Sequence, residues 1–371
     1  MKTATWAILL SFLFGANIPM ANVYTYGDSI AAGNLASTAA NRFANQVATA
    51  KSWTLTNNGI SGAQILGMVD TIYAKTVAQT DKFIPLLGYN DMRYGGTDAD
   101  ALATFQNALY ALAAWVALPS GNKFNARNLS EVSYAGTWDN NGTTYGGSMS
   151  RYATAIGSTA TFTLTGPVAY VGLTRTSYAN GAGTVTVDGV LKASFSATGL
   201  VESAAGREWG PFLVRLTGLG DGAHTIVVEQ TGGVGLEHIY LDWAGSPLGA
   251  ADATGPDVYI GNCLYMNATG YAISPNAGSD AAVDAYNAAI QTVVTNLRAD
   301  GLRVALADAN SYYNPATAGD TDADNIHPTN QGHTKIANAF LAAISAGFPK
   351  VYNLLRGVGR FIKSGNSILA T

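Results

Sequence analysis

Ser29 stands at the end of Asn22-Val23-Tyr24-Thr25-Tyr26-Gly27-Asp28, where a run of β-branched and aromatic residues stops at glycine. A hydroxyl in that place lies at the carboxyl end of a first strand, where open α/β sheets hold their ligands. To act as a nucleophile it needs a base, an orienter for that base, and donors for a developing oxyanion. The chain has four histidines: His224, His238, His327 and His333. His327 is the best base, because Asp324 three residues earlier can turn back to fix the imidazole tautomer. His333, after Gln331-Gly332, reads as structural or capping. Gly62 offers an unhindered backbone N–H and Asn90 a side-chain amide, two oxyanion donors. Each residue also has a plain structural use, since Asp and Ser cap helices and Gly and Asn fill turns. Their order, each in a loop after a strand or before a helix, favours chemistry.

The elements that must position them alternate strand and helix. Ala39 to Lys51 has helical apolar spacing, Trp53 to Leu55 reads as a strand, and Asn57 to Gly62 as a loop. A helix over Gln64 to Lys75 precedes a strand over Lys82 to Leu87, which Pro85 weakens, and the loop Gly88-Tyr89-Asn90-Asp91. Asp98 to Leu118 is a long apolar helix. From Asn125 to Trp243 the helical period vanishes. Short alternating runs at Thr161–Leu164, Ala169–Val171, Thr184–Val187 and Thr225–Val228 are broken by Asp188-Gly189 and Asp221-Gly222, dipeptides of the hairpin type. Alternation resumes with a strand at Asp257–Ile260, a helix over Ala281–Ala299, a strand at Leu302–Ala307 and a last helix over Gln331–Ala346. The expected fold is a doubly wound parallel α/β sheet built from 22–124 plus 246–347, with an all-β jelly-roll or β-sandwich inserted over 125–245.

Four blocks in order, Gly27-Asp28-Ser29-Ile30, Asn57 to Gly62, Gly88-Tyr89-Asn90-Asp91 and Asp324-Asn325-Ile326-His327-Pro328, resemble the GDSL, or SGNH, hydrolase family of esterases and lipases. That resemblance implies a three-layer, flavodoxin-like sheet. It also implies Ser29 as nucleophile, His327 as base with Asp324 as its partner, and an oxyanion hole from the Ser29 N–H, the Gly62 N–H and the Asn90 amide. Ile30 replaces the eponymous leucine, and the long β insertion is absent from the minimal family fold. The insert, through Gly136-Thr137-Trp138, Val187-Asp188-Gly189, Leu219 to Thr225 and Tyr240 to Trp243, resembles galactose-binding-like, carbohydrate-binding jelly rolls. By that likeness Trp138, Tyr145, Tyr178 and Trp209 are candidate sugar platforms, against the commoner use of aromatic residues as sandwich core.

Other chemistries fit less well. There is no Gly-x-Ser-x-Gly elbow and no His-Glu-x-x-His zinc motif. Asp320-Thr321-Asp322-Ala323-Asp324 starts like a calcium loop but lacks the following glycine, and Gln331 stands where a bidentate glutamate belongs. No metal or cofactor is expected. With 12% charged residues and a net charge of −4 there is no basic patch for nucleic acid. The single cysteine, Cys263, cannot form an internal disulfide and reads as a buried small hydrophobe.

Residues 1–21 read as an export signal: Lys2, an apolar run from Ala4 to Ala16, and a cleavage region in Asn17 to Ala21. The run is too short for a comfortable membrane span, and the alternative to export is a short anchoring or assembly helix. Residues 348–371 form a basic amphipathic tail, with Lys350, Arg356, Arg360 and Lys363 and no acid. The expectation is therefore a secreted or periplasmic serine esterase acting on acyl esters, foremost O-acetyl groups on a carbohydrate. The rivals are a lipase or lysophospholipase, and a non-catalytic glycan-binding adhesion or tail-fibre protein on a virion surface.

Overall fold

The computed structural model describes residues 20–140, 149–176, 181–199, 208–233, 238–247, 255–275 and 278–348. Sixteen strands are present among them: β1 (Asn22–Gly27), β2 (Thr54–Gly59), β3 (Lys82–Phe83), β4 (Lys123–Asn125), β5 (Ser133–Ala135), β6 (Trp138–Asn140), β7 (Arg151–Ala153), β8 (Thr159–Thr165), β9 (Val168–Thr176), β10 (Ala182–Val187), β11 (Val190–Ser196), β12 (Trp209–Thr217), β13 (Ala223–Gln230), β14 (Ile239–Gly245), β15 (Asp257–Gly261) and β16 (Val304–Ala307). The helices are α1 (Ser29–Ala32), α2 (Phe43–Lys51), α3 (Val69–Tyr73), α4 (Tyr89–Gly95), α5 (Ala99–Ala117), α6 (Ala268–Ala272), α7 (Asp280–Ala299), α8 (Ala309–Tyr312) and α9 (Asn330–Ala346).

The protein is mixed α/β. One sheet, in the order β16-β15-β3-β1-β2, is parallel throughout. β15 is buried along its whole length and β1 from Val23 onward, as a parallel sheet covered on both faces requires. Helix α2 packs with α9, and α5 packs with α3, α4 and α7. The other two sheets are antiparallel, in the orders β11-β10-β13-β8-β5 and β12-β9-β14-β7-β6, with β4 on β14. Their facing sides form a core of their own around Phe162, Leu173, Phe212, Ile226 and Leu241. Alternate burial along β8 and β10 is the half-buried pattern their sequences carry.

Several elements differ from the expectation. Strand β2 runs on through Asn57-Asn58-Gly59, pairing Gly59 with Gly27. The Asn57 side chain makes this possible, accepting from Gly59 N (2.9 Å) and donating to Ala31 O (3.0 Å). The expected helix over 64–75 is a 3-10 turn at Ile65–Met68 followed by α3, because Ile65 N donates to the Asp91 carboxylate (3.0 Å). Pro85 breaks the third strand after Phe83, although Leu86 N still donates to Tyr26 O (2.9 Å). Gly88 to Asp91 is not a free loop: Tyr89 opens α4. Asp188 and Gly189 do join a paired hairpin, both at positive φ (51° and 78°). Asp221-Gly222 does not, since β12 and β13 belong to different sheets and the dipeptide crosses between them.

The antiparallel part is docked firmly on the parallel part. The Asp300 carboxylate accepts from Arg215 Nε (2.7 Å) and Nη2 (2.5 Å) and from the Tyr170 hydroxyl (2.5 Å). Trp243 Nε1 donates to the Tyr73 hydroxyl (3.1 Å), and its ring lies 5.5 Å from that of Trp115. Trp138 and Trp209 are both only 7% exposed. Trp138 packs against Tyr134 in the sandwich core, and Trp209 belongs to the apolar cluster shared with the parallel sheet. Their rings are packing groups, which corrects the expectation of open sugar platforms. Tyr145, Tyr178, residues 1–19 and the tail from 349 lie outside the described residues. Among the described residues no helix is long and apolar enough to cross a membrane.

Candidate active site

Ser29 is brought to the edge of the parallel sheet by a sharp strand-to-helix turn. Gly27 takes φ 149°, and a Cβ there would sit 2.0 Å from Leu86 O, so only glycine lets the third segment pass. Asp28 then caps α1, accepting from Ile30 N at 2.8 Å. The two uses of this tripeptide are thus divided: Asp28 is the cap and Ser29 the first helical residue. A backbone N–H in the first helical turn has no intrahelical acceptor, which leaves that of Ser29 available to a ligand.

The Ser29 hydroxyl lies 2.8 Å from His327 Nε2, across 298 residues of sequence. On the other side of the ring, His327 Nδ1 is 2.5 Å from Asp324 Oδ2. The second Asp324 oxygen accepts from the backbone N–H groups of Ile326 and His327, both at 2.9 Å. Burial alone would raise the Asp324 carboxyl, but the hydrogen bonds from the His327 ring and these two amides outweigh it and hold it below the usual carboxylate range. An ionised carboxylate on Nδ1 keeps the imidazole lone pair on Nε2, facing the serine. Hydroxyl, imidazole and carboxylate therefore form one hydrogen-bonded line.

The loop holding Asp324 and His327 is braced from three directions. The buried Tyr89 hydroxyl donates to Ile326 O (2.8 Å), and Asn267 Nδ2 donates to Asn325 Oδ1 (2.8 Å). Gly270 lies so close that a Cβ would meet Asn325 O at 2.3 Å. Asn325 takes φ 63°, a left-handed conformation asparagine tolerates better than most residues.

Gly62, at φ 78°, has no atom within 4 Å of where a Cβ would be, so the space on that side of the residue is open. Asn34 and Ser61 tie the neighbouring loops by an Nδ2 to Oγ bond of 2.9 Å. Asn90 is buried in the first turn of α4; its Nδ2 donates to Ala63 O (3.1 Å) and its Oδ1 accepts from Arg93 Nη1 (3.3 Å). Burial raises the Asp28 carboxyl to about 6, against the Ile30 N–H, His327 and Arg93, which lower it. Burial likewise raises that of Asp91 to about 7.

His333 is not a cap. It is fully buried in α9, stacked on Phe43, and burial lowers it to about 4, so it stays neutral; Thr329 caps the helix. His224 pairs with Asp188 (2.7 Å) on a sandwich turn, and the His238 ring lies 4.9 Å from that of Tyr152. The three acids of the calcium-like loop part company. Asp320 is buried against Lys335 (2.6 Å) and Gln331 (2.9 Å), Asp322 accepts from Ala323 N, and Asp324 faces His327. No cluster of metal-ligating side chains exists among the described residues. Cys263 is buried and free.

Tyr89, Arg93, Asn267 and Ser274 also hold this site together, through contacts that no motif marks. Only Arg93 left a local signal, since residues 90 and 93 share a face once the helix is known to begin at Tyr89.

No protein-family model matches the chain, and no curated protein matches it. Solved structures do. A two-domain esterase active on acetylated mannans, co-crystallised with mannopentaose, is 13% identical, with 61% of this chain and 90% of that chain covered and a TM-score of 0.35. A family 36 carbohydrate-binding module in complex with calcium and xylotriose is 17% identical over 33% of this chain and 96% of that one, with a TM-score of 0.26. A family 35 module from Clostridium thermocellum is 14% identical over 33% and 93%, with a TM-score of 0.25.

Proposed function

We propose that this chain is a serine esterase of the GDSL/SGNH kind, built from 22–124 plus 246–347 around an inserted sandwich over 125–245. The observation that carries the reading is the unbroken line from Ser29 Oγ to His327 Nε2 (2.8 Å) and from His327 Nδ1 to Asp324 (2.5 Å). The strand order β2-β1-β3-β15-β16, the 2-1-3-4-5 order of flavodoxin-like sheets, supports it, since Ser29 follows β1 at the carboxyl edge where such sheets bind ligands.

His327 takes the Ser29 proton as Oγ attacks the ester carbonyl, and Asp324 stabilises the imidazolium. The carbonyl oxygen becomes an oxyanion facing the Ser29 N–H, the Gly62 N–H and the Asn90 amide. Collapse expels the alcohol, which takes the proton from His327. Water then attacks the acyl-enzyme by the same route in reverse order, releasing the acid and free Ser29. The chemistry calls for no metal and no cofactor. The substrate we favour is an O-acetyl group on a carbohydrate, on the resemblance of the insert to sugar-binding jelly rolls. The resemblance of residues 1–21 to an export signal supports a secreted or periplasmic location.

The test is hydrolysis of p-nitrophenyl acetate by the wild type and by Ser29→Ala, followed by acetate release from a panel of acetylated glycans. Wild-type turnover that disappears in folded S29A supports the reading, and turnover that survives in S29A refutes it. Preference for long-chain esters over acetyl esters would move the substrate to lipids.

A further inference from the structure

The oxyanion donor Asn90 is held by a side chain that the reaction as written does not use. Arg93 lies one turn further along α4, half-buried, with Nη1 donating to Asn90 Oδ1 (3.3 Å) and Nε donating to Ser274 Oγ (3.2 Å). We propose that Arg93 is a positioning residue that fixes the Asn90 amide with its NH₂ group toward the oxyanion hole. This rests on the esterase reading above.

The orientation of an asparagine amide is decided by its neighbours, and here two of them agree. Ala63 O, at 3.1 Å, is an acceptor and requires the NH₂ end. The Arg93 guanidinium has only donors and requires the oxygen end. Flipping the amide would set oxygen against oxygen and N–H against N–H at the same time. One amide hydrogen serves Ala63 O, and the second is left for the substrate oxyanion. A cation on the amide oxygen also polarises the group and strengthens that donor.

The guanidinium is itself anchored from far away in sequence. Ser274, 181 residues from Arg93, is buried and donates its own hydroxyl proton to Gly270 O at 2.9 Å. Gly270 is the residue packed against Asn325 O in the loop that carries Asp324 and His327. A continuous set of contacts therefore joins the base loop to the oxyanion donor: Asn325, Gly270, Ser274, Arg93, Asn90.

The experiment measures kcat and KM for p-nitrophenyl acetate in wild type, S29A, Arg93→Ala, Arg93→Lys, Asn90→Ala and the N90A/R93A double variant, with a thermal melt for each. Removing the amide in N90A should cost on the order of a hundred- to a thousand-fold in kcat. R93A should lose about ten- to a hundred-fold in kcat with KM nearly unchanged, because a charged hydrogen bond to the donor is lost while substrate contacts remain. R93K should recover part of that loss, as should guanidinium ion added to R93A. In the double variant the loss should match that of N90A alone, since Arg93 acts through Asn90. R93A with wild-type kcat, or a double variant whose loss is the product of the two single losses, would overturn the proposal. A merely structural arginine would lower the melting temperature without that non-additivity and without rescue by guanidinium. Wild type inactive on every ester, or S29A as active as wild type, would overturn the esterase reading and this proposal with it. S29A inactive beside an unaffected R93A would overturn the Arg93 proposal alone.

Discussion

Gly59→Ala should disable the site by moving the short helix that carries Ser29, without touching any of the reacting groups. Gly59 ends β2 opposite Gly27, and a Cβ on it would lie 2.2 Å from Ala32 N, 2.6 Å from Ala31 C and 2.7 Å from Ala32 Cα. All three are backbone atoms of α1 or its neighbourhood, so no flexible side chain can yield. Ordinary carbon contact begins near 3.4 Å, which means that the helix must recede by about 1.2 Å or the β1–β2 pairing must open by as much. The Ser29 Oγ to His327 Nε2 distance of 2.8 Å would then exceed hydrogen-bond range. A displacement of about 1 Å in a reacting group can cost on the order of a hundred-fold in rate, and overpacking of this kind costs about 1–3 kcal/mol in stability. Steady-state hydrolysis of p-nitrophenyl acetate and a thermal melt on the same preparation read both numbers. A variant with kcat within about twofold of wild type and an unchanged melting temperature would refute the claim that α1 is wedged against β2.

Two further perturbations test the surroundings. Tyr89→Phe removes the hydroxyl that donates to Ile326 O, leaving that carbonyl beside His327 without its buried donor; stability should fall by about 1–3 kcal/mol and kcat with it, and an unchanged urea midpoint and kcat would refute the bracing role. Asp242 is fully buried, with Ser150 and Thr174 donating to it, and burial raises its carboxyl to about 7. Because the folded value lies above the unfolded one, the folded state holds the proton more tightly, and stability is lost as pH climbs from about 4 to about 7, on the order of 4 kcal/mol across that window. Asp242→Asn removes this titration, so urea unfolding should show the variant gaining on the wild type between pH 5 and pH 8; an identical difference at both pH values would contradict the buried-charge account.

How much of this was legible in the sequence depended on the range of the contact. Asp324 and His327 are three residues apart, and a spacing that short nearly dictates that one side chain can turn to the other. The parallel strands were legible from their apolar runs, but their ends were not. Asn57-Asn58-Gly59 looks like a turn, and only the Asn57 side chain bonding to Gly59 N and Ala31 O keeps it in the sheet. The Tyr89 contact with Ile326 spans 237 residues and the Arg93 contact with Ser274 spans 181, and no local pattern encodes either. In the sandwich, Asp221-Gly222 carries the same turn chemistry as Asp188-Gly189, yet the first crosses between sheets while the second closes a hairpin. What separates them is the pairing of the flanking strands, which is decided by the whole core. Trp138 and Trp209 illustrate the same limit, because an aromatic residue reads alike whether it closes a core or faces water.

The place where the sandwich is docked bears on how it can serve an esterase. Its polar and ring contacts to the α/β part fall on Tyr73 at the end of α3, Trp115 at the end of α5 and Asp300 just after α7. The ends of α3 and α7 lead to the starts of β3 and β16, and the end of α5 lies against Gly255 just before β15, where a Cβ would meet Ala117 O at 2.9 Å, so the sandwich sits at the amino edge of the sheet. Ser29, Asn90 and His327 sit at the opposite, carboxyl edge, and none of the described contacts that hold them comes from 123–245. Helix α5 alone, with 19 residues, spans about 28 Å between the two edges. The bidentate Arg215–Asp300 pair and the Trp243–Tyr73 bond, inside a shared apolar cluster, oppose any hinge that would bring the sandwich over Ser29. On the esterase reading, the described residues of the insert take no part in shaping the acyl pocket. A glycan held on these described strands would reach Ser29 only as an extended chain crossing the depth of the sheet, which makes polymer length the variable through which they could act.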